Sequence, residues 1–235
     1  MSTTTSPTSP AASGRAATPA RRKRRVSVPG VRHERPYWDA GAIVAGVDEV
    51  GCGSWAGPVT YAAVVLPRDR RIYKLRDSKV LAPVERERLA ERVRGIALGV
   101  GVGHAGNDEI DRLGLSEARR RAARRAVDAL PLRPDVALLD GNWDFLAGYG
   151  THNERLVRGD GRSVSIAAAS IVAKVCRDAL MAELSPGYPA YGFASNKGYP
   201  SPDHVAALEH HGPCPLHRHS WAPIAGRAQL RLFDA

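Results

Sequence analysis

Four acidic residues carry the chemistry this sequence can do: Asp48, Glu49, Asp140 and Asp160. Asp48 and Glu49 close an apolar run, residues 43–47, and Gly51-Cys52-Gly53 follows at once. Asp140 closes a second apolar run, residues 136–139, ahead of Gly141 and Asn142. Asp160 lies between Gly159 and Gly161, shortly after Leu156-Val157. Carboxylates at the ends of buried strands are costly unless something positive sits on them. A hard divalent cation bound by oxygens is the natural partner. Strand neighbours point to opposite faces, so Asp48 and Glu49 reach one ligand only if the strand ends or bends there. The glycines permit that bend. If the strands are sheet neighbours, the four acids converge at one edge, and their mutual repulsion in a low dielectric demands cations. Two divalent ions about 4 Å apart suit in-line phosphoryl displacement. Taken alone, Asp48-Glu49 reads as a solvated turn.

The elements that must position these acids can be read along the chain. Residues 43–47 and 59–66 form a hairpin around the glycine-rich turn. Residues 75–79 (Leu-Arg-Asp-Ser-Lys) are a polar loop. Pro83 starts an amphipathic helix over residues 83–98. Residues 99–105 are a glycine-rich strand. Asn107 caps a short helix through Arg112, and Ser116 caps another that ends near Leu130. The five arginines of that helix (Arg119, Arg120, Arg121, Arg124, Arg125) read as a solvated face. Residues 165–183 form a tightly packed helix rich in small residues. Residues 188–202 are loop, Asp203 caps a last helix through His210, and the chain from Gly212 is irregular. Strands come first and then alternate with helices, which argues α/β or α+β with a mixed sheet.

Bulk composition narrows the class. The chain has 235 residues, enough for one domain with a full core, and 43% of them are hydrophobic. The net charge is +10, and residues 1–40 hold eight Lys/Arg against two Asp/Glu. Residues 1–40 therefore read as a disordered basic tail, and residues 41–235 as the folded domain. Arg21-Arg22-Lys23-Arg24-Arg25 binds nucleic acid by charge alone or serves as a solubilising tail. Three scattered cysteines fit a reducing compartment and no disulfide framework. No apolar run is long enough to span a membrane, and the basic N-terminus lacks the apolar core of a secretory signal. A cytoplasmic monomer without a membrane partner is the expectation.

The motifs GVDEVGCGSWAGPV, DSK (Asp77 to Lys79), LLDGN (Leu138 to Asn142), Gly159-Asp160, AASIVAKVCRD and YGFASNKGYP occur in this order. Together they resemble the type 2 ribonuclease H family, ribonuclease HII, from about residue 42 to 223. The resemblance implies an RNase H-like mixed sheet flanked by helices, with a C-terminal helical part that helps hold the substrate. It implies an endonuclease that cleaves the RNA strand of RNA–DNA hybrids and nicks DNA duplexes 5′ to embedded ribonucleotides, a step in ribonucleotide excision repair. The products would be 5′-phosphate and 3′-hydroxyl, and the cofactor Mn²⁺ or Mg²⁺. The family's four acids fall by motif on Asp48, Glu49, Asp140 and Asp160. Its substrate-binding positions fall on Gly51, Cys52, Gly53 and Tyr199, with Lys79 and Lys197 as phosphate contacts.

Cys52 departs from the pattern, because the family motif carries arginine there. The glycine backbone can still read a ribose 2′-OH, the group that marks a ribonucleotide. The charge at position 52 is lost. Gly51, Gly53 and Gly57 are spaced wrongly for a dinucleotide fingerprint. His210, His211, Cys214, His217 and His219 match no standard zinc spacing and read as a solvated loop. A second function class stays open: a catalytically weak hybrid- or duplex-binding protein that keeps the fold. Four intact, mutually repelling acids favour the enzyme.

Overall fold

The computed structural model describes residues 28–69, 75 and 82–230, with side chains through residue 226. The basic run expected to bind by charge (residues 21–25) and the expected phosphate contact Lys79 lie outside the described residues.

A mixed five-stranded sheet organises the molecule, in the order β3-β2-β1-β4-β5. Strand β1 (Val44–Val50) turns back into β2 (Val59–Val65), which pairs antiparallel with β3 (Gly99–Ala105). On its other edge β1 pairs parallel with β4 (Val136–Asp140), and β4 pairs parallel with β5 (His152–Leu156). The expected hairpin and mixed sheet are therefore present. β1 and β2 are buried on both faces, which explains their unbroken runs of Val, Ala and Tyr. β5 was not legible as a strand: its sequence, His-Asn-Glu-Arg-Leu, is mostly polar because it lies at the sheet edge.

Helices cover both faces. Short helix α1 (Arg35–Asp39) precedes the sheet, and α2 (Pro83–Ile96) follows β2. Helices α3 (Asn107–Leu113) and α4 (Leu115–Asp128) follow β3. α4 packs Ala118, Ala122 and Ala126 against Ala63, Val65 and Tyr61 of β2. A Cβ at Gly101 or Gly103 of β3 would overlap the backbone carbonyl of Ala126 or Ala122, so the helix lies directly on the strand. On the opposite face runs α5 (Val164–Leu184), whose Ala168, Ile171 and Val172 meet Ala62 and Val64. A Cβ at Gly46 would overlap the Ser165 backbone, so α5 is seated on β1 as closely as α4 is on β3. Any larger residue at Gly46 would force these elements apart, an overpacking cost of about 1–3 kcal/mol or more.

The C-terminal part is helical: α6 (Phe193–Asn196), α7 (Pro202–His211) and α8 (Ala222–Leu230). Its core is a separate cluster around Tyr191, Phe193, Leu208 and Ile224. It is fastened to the β1–β2 connection through Trp55 N–H to the Gly198 carbonyl (2.8 Å) and Arg218 N–H to the Trp55 carbonyl (2.9 Å).

Several expectations are corrected. Residues 30–40 belong to the fold: Gly30 bridges Ser163, and the fully buried Glu34 accepts from the Ser163 hydroxyl (2.5 Å) and the Ser165 N–H (3.0 Å). A single carboxylate satisfying the first turn of α5 carries no compositional signal. The caps also shift. Gly114 precedes α4 where Ser116 was expected, Ser201 caps α7 where Asp203 was expected, and Asn107 spends its side chain on the Pro215 carbonyl (2.7 Å). The stretch after Gly212 holds α8 in place of irregular chain.

Candidate active site

The parallel register brings Asp48 and Asp140 together. Val47 pairs with Leu139, so the next residues, Asp48 and Asp140, stand side by side at the carboxyl ends of β1 and β4. Asp140 pairs with Leu156 at the end of β5, and the turn after β5 returns to it: the Gly159 N–H donates to Asp140 Oδ1 at 2.6 Å. Asp160 is the next residue in that turn, and it is buried. Ligand sites lie outside the carboxyl ends of strands in α/β sheets for this topological reason.

Asp48 is 4% exposed, on the side of the sheet covered by α5. Burial, then the charge of Asp140, then that of Glu49 push its carboxyl well above the usual carboxylate range. The Ser170 hydroxyl and the Glu49 N–H (2.7 Å to Asp48 Oδ1) pull it part of the way back. Glu49 points to the opposite side, where its register partner is Tyr61. There Arg119 of α4 reaches in, with Nη2 3.3 Å from Glu49 Oε1 and Nε donating to the Tyr61 hydroxyl at 3.0 Å. Glu49 Oε2 is buried and lacks a hydrogen-bond partner. β1 runs on to Val50, so the bend expected at Asp48-Glu49 falls later, at Gly51 with φ 90°.

This donor set fits a hard cation. It is all oxygen, it holds one unsatisfied buried carboxylate oxygen, and one of its acids is driven toward protonation by burial and like charge. Among the described residues no three His, Cys, Asp or Glu side chains are already gathered at ligating range.

Two of the expected substrate residues, Gly51 and Tyr199, meet just beyond the end of β1. The Gly51 N–H donates to the Tyr199 hydroxyl at 3.1 Å. Gly51 is buried, Cys52 half-buried and Gly53 exposed. Lys197 lies two residues before Tyr199, with its ammonium turned onto the Ala194 carbonyl. Burial, then Glu49, pushes the Cys52 thiol up to about 12, so it carries no thiolate for nucleophilic work.

Sequence reasoning missed the residues that hold this turn. Arg177 of α5 is fully buried and donates to the carbonyls of Pro58 (2.8 Å) and Lys197 (2.8 Å) and to the Ser54 hydroxyl (2.7 Å). Arg218, also fully buried, donates to the carbonyls of Gly51 (2.6 Å), Cys52 (3.0 Å) and Gly57 (3.1 Å). The α4 arginines are not one solvated face. Arg119 and Arg120 lie over the Trp143 ring at 4.6 and 4.9 Å, and Arg125 forms a two-bond pair with Glu109. The C-terminal histidines also divide. His204 and His217 are buried with their Nε2 atoms 3.0 Å apart, and His217 faces Cys214.

A mixed sheet flanked by helices, with acids at the ends of its parallel strands, is the RNase H-like architecture. Comparison with known proteins agrees. The ribonuclease HII family model matches residues 45–224. Ribonuclease HII of Streptomyces avermitilis is 48% identical over 189 residues, covering 80% of this chain and 81% of that protein. Ribonuclease HII of a Thermus thermophilus strain is 47% identical over 204 residues, covering 86% of this chain and 97% of that protein. The crystal structure of ribonuclease H2 from Pyrococcus horikoshii OT3 superposes with a TM-score of 0.69 at 26% identity, covering 80% of this chain and 97% of that one. The Bst-RNase HIII structure in complex with Mn²⁺ shares the fold, with a TM-score of 0.59 at 21% identity, covering 80% of this chain and 70% of that one. The chain belongs to the ribonuclease HII family. It is accordingly a metal-dependent endoribonuclease of the RNase H kind. No helix among the described residues is long and apolar enough to cross a membrane.

Proposed function

We propose that this enzyme cleaves the RNA strand of RNA–DNA hybrids and nicks DNA duplexes 5′ to a single embedded ribonucleotide, leaving 5′-phosphate and 3′-hydroxyl ends. The observation that carries the reading is the meeting of two groups along β1: the acid cluster at Asp48 and Asp140, and the Gly51–Tyr199 contact a few residues on. Asp48, Glu49, Asp140 and Asp160 would hold Mn²⁺ or Mg²⁺. Bound there as a pair, the ions would supply a deprotonated water and neutralise the leaving oxygen. Ser170 and the Gly159 N–H hold Asp48 and Asp140 in place before any ion arrives. The turn at Gly51-Cys52-Gly53 presents backbone to the ribose, and Arg177 and Arg218 keep that backbone rigid from beneath. Tyr199 offers a ring beside it for a sugar to stack on. Lys197 and Lys79 serve as phosphate contacts. The enzyme acts as a cytoplasmic monomer on nucleic-acid duplexes.

The test is a labelled DNA duplex with one ribonucleotide beside an all-RNA hybrid, each with Mg²⁺ and with Mn²⁺. A cut 5′ to the lone ribonucleotide is expected. Cleavage of the long hybrid alone would refute the junction reading, and cleavage of neither would refute the whole proposal.

A further inference from the structure

The acid cluster would repel the phosphodiester it has to receive, so the cations around it decide whether a polyanion can approach. Two guanidinium groups act on the side chain at position 52, those of Arg119 and Arg218. Arg218 is 0% exposed and its hydrogen bonds go to the carbonyls of Gly51, Cys52 and Gly57, so it is committed to the turn. Arg119 differs. Its side chain keeps 23% exposure, and three contacts from separate elements aim it: Glu49 of β1 at 3.3 Å, Tyr61 of β2 at 3.0 Å, and the Trp143 ring at 4.6 Å. Cys52, Tyr61 and Trp143 pack on one hydrophobic cluster, and the Arg119 guanidinium touches two of these residues, Tyr61 and Trp143. A solvated helix arginine would not be held on three sides, two of them aromatic.

We propose that Arg119 is a substrate-positioning residue, gripping a phosphodiester of the bound strand beside the Gly51-Cys52-Gly53 turn and supplying from α4 the positive charge that Cys52 does not carry. The proposal rests on the function given above. In the free enzyme Glu49 occupies this guanidinium. Were Glu49 to ligate a divalent ion, the guanidinium would be free to meet the strand. Arginine suits the task because its planar fork pairs with phosphate through two bonds.

The experiment measures binding of a fluorescent RNA–DNA hybrid across a salt series with Mg²⁺, in an Asp48→Asn background, for Arg119, Arg119→Gln, Arg119→Lys and Arg119→Gln/Cys52→Arg. One lost phosphate contact makes the slope of log K against log[salt] shallower by about 0.9 for a B-form duplex, with a similar change for the hybrid. Arg119→Gln is expected to show that change with roughly tenfold weaker binding, Arg119→Lys to keep the slope, and Cys52→Arg to restore it in the Gln background. Basic residues outside the site contribute equally to all four proteins. An unchanged slope in Arg119→Gln with an unchanged melting temperature would overturn the proposal and leave Arg119 as a partner of Glu49 alone. If Arg119→Gln fails to fold, Arg119→Met takes its place, and an unchanged slope there would overturn the proposal equally. Failure of the proposed function shows elsewhere, as a protein with native Asp48 that cuts neither duplex, and the slopes still decide the role of Arg119.

Discussion

The Gly51 N–H and the Tyr199 hydroxyl meet at 3.1 Å across 148 residues of chain. This bond ties the turn after β1 to the C-terminal helical part, and in the proposed function it sits where a ribose 2′-OH would be read. Arg177 lies over the Tyr199 ring at 5.3 Å and Lys174 at 5.9 Å, so the ring is held from α5 as well. Tyr199→Phe keeps the ring and leaves the Gly51 N–H without its partner, a cost of about 1–3 kcal/mol in stability. Tyr199→Ala removes the ring too. The ratio of kcat/KM on a single-ribonucleotide duplex to that on a long hybrid should fall modestly for Phe and by about tenfold or more for Ala, as one lost stacking contact predicts. Equal losses on both substrates would remove Tyr199 from junction recognition.

Asp48→Asn should abolish cleavage while hybrid binding persists, because the acid that stands beside Asp140 is lost. The same variant should melt higher than the native protein when divalent ions are absent. Burial and like charge raise the Asp48 carboxyl in the folded state, so its ionisation works against folding. That group contributes stability present below the ordinary carboxylate range and lost as pH rises through its raised folded value. Calorimetry in chelator, run from acid to neutral pH, should therefore show the advantage of Asn growing as pH rises.

Divalent ions should raise the melting temperature of the native protein, because they relieve that repulsion only in the folded state. At a hundredfold excess over Kd, ligand linkage stabilises by about 2.7 kcal/mol. Chelation should abolish cleavage and return the melting temperature to its starting value. Asp48→Asn should show a smaller shift at the same ion concentration, and an equal shift would place the ion elsewhere.

His217 gives the C-terminal part its own pH dependence. Burial, then the neighbouring His204, pushes His217 down to about 4. The fold therefore favours the neutral ring, and protons bind the unfolded chain more readily. Stability is fully present above the ordinary histidine range, about 6.5, and is lost as pH falls toward about 4. A fluorescence melt of the native protein should decline across that window, and His217→Gln should flatten the decline.

Arg177→Met should destabilise the protein by about 3 kcal/mol or more, since four acceptors lose a charged donor at once. Those acceptors are the carbonyls of Pro58, Ala56 and Lys197 and the Ser54 hydroxyl. A urea melt checks this, and a variant as stable as the native protein would show that the turn is held by Arg218 alone.

Local signals along the chain are enough to specify the strands that end in Asp48 and Asp140, the hairpin around Gly51, the main helices, and the family to which these motifs belong. Those features are local: an apolar run, a glycine turn and a helical period all act within a few residues. Tertiary structure decided what the local code does not carry. It set Glu34 beneath α5, made polar residues 152–156 into an edge strand, and turned Arg119 from a helix face toward Glu49. It also drew Arg177 and Arg218 under the turn, 119 and 161 residues from the carbonyls of Pro58 and Gly57 that they hold. An arginine in a helix looks the same in sequence whether it meets water or buried carbonyls. Only the packing of α4 and α5 onto glycines of β3 and β1 brings the backbones close enough to make that choice.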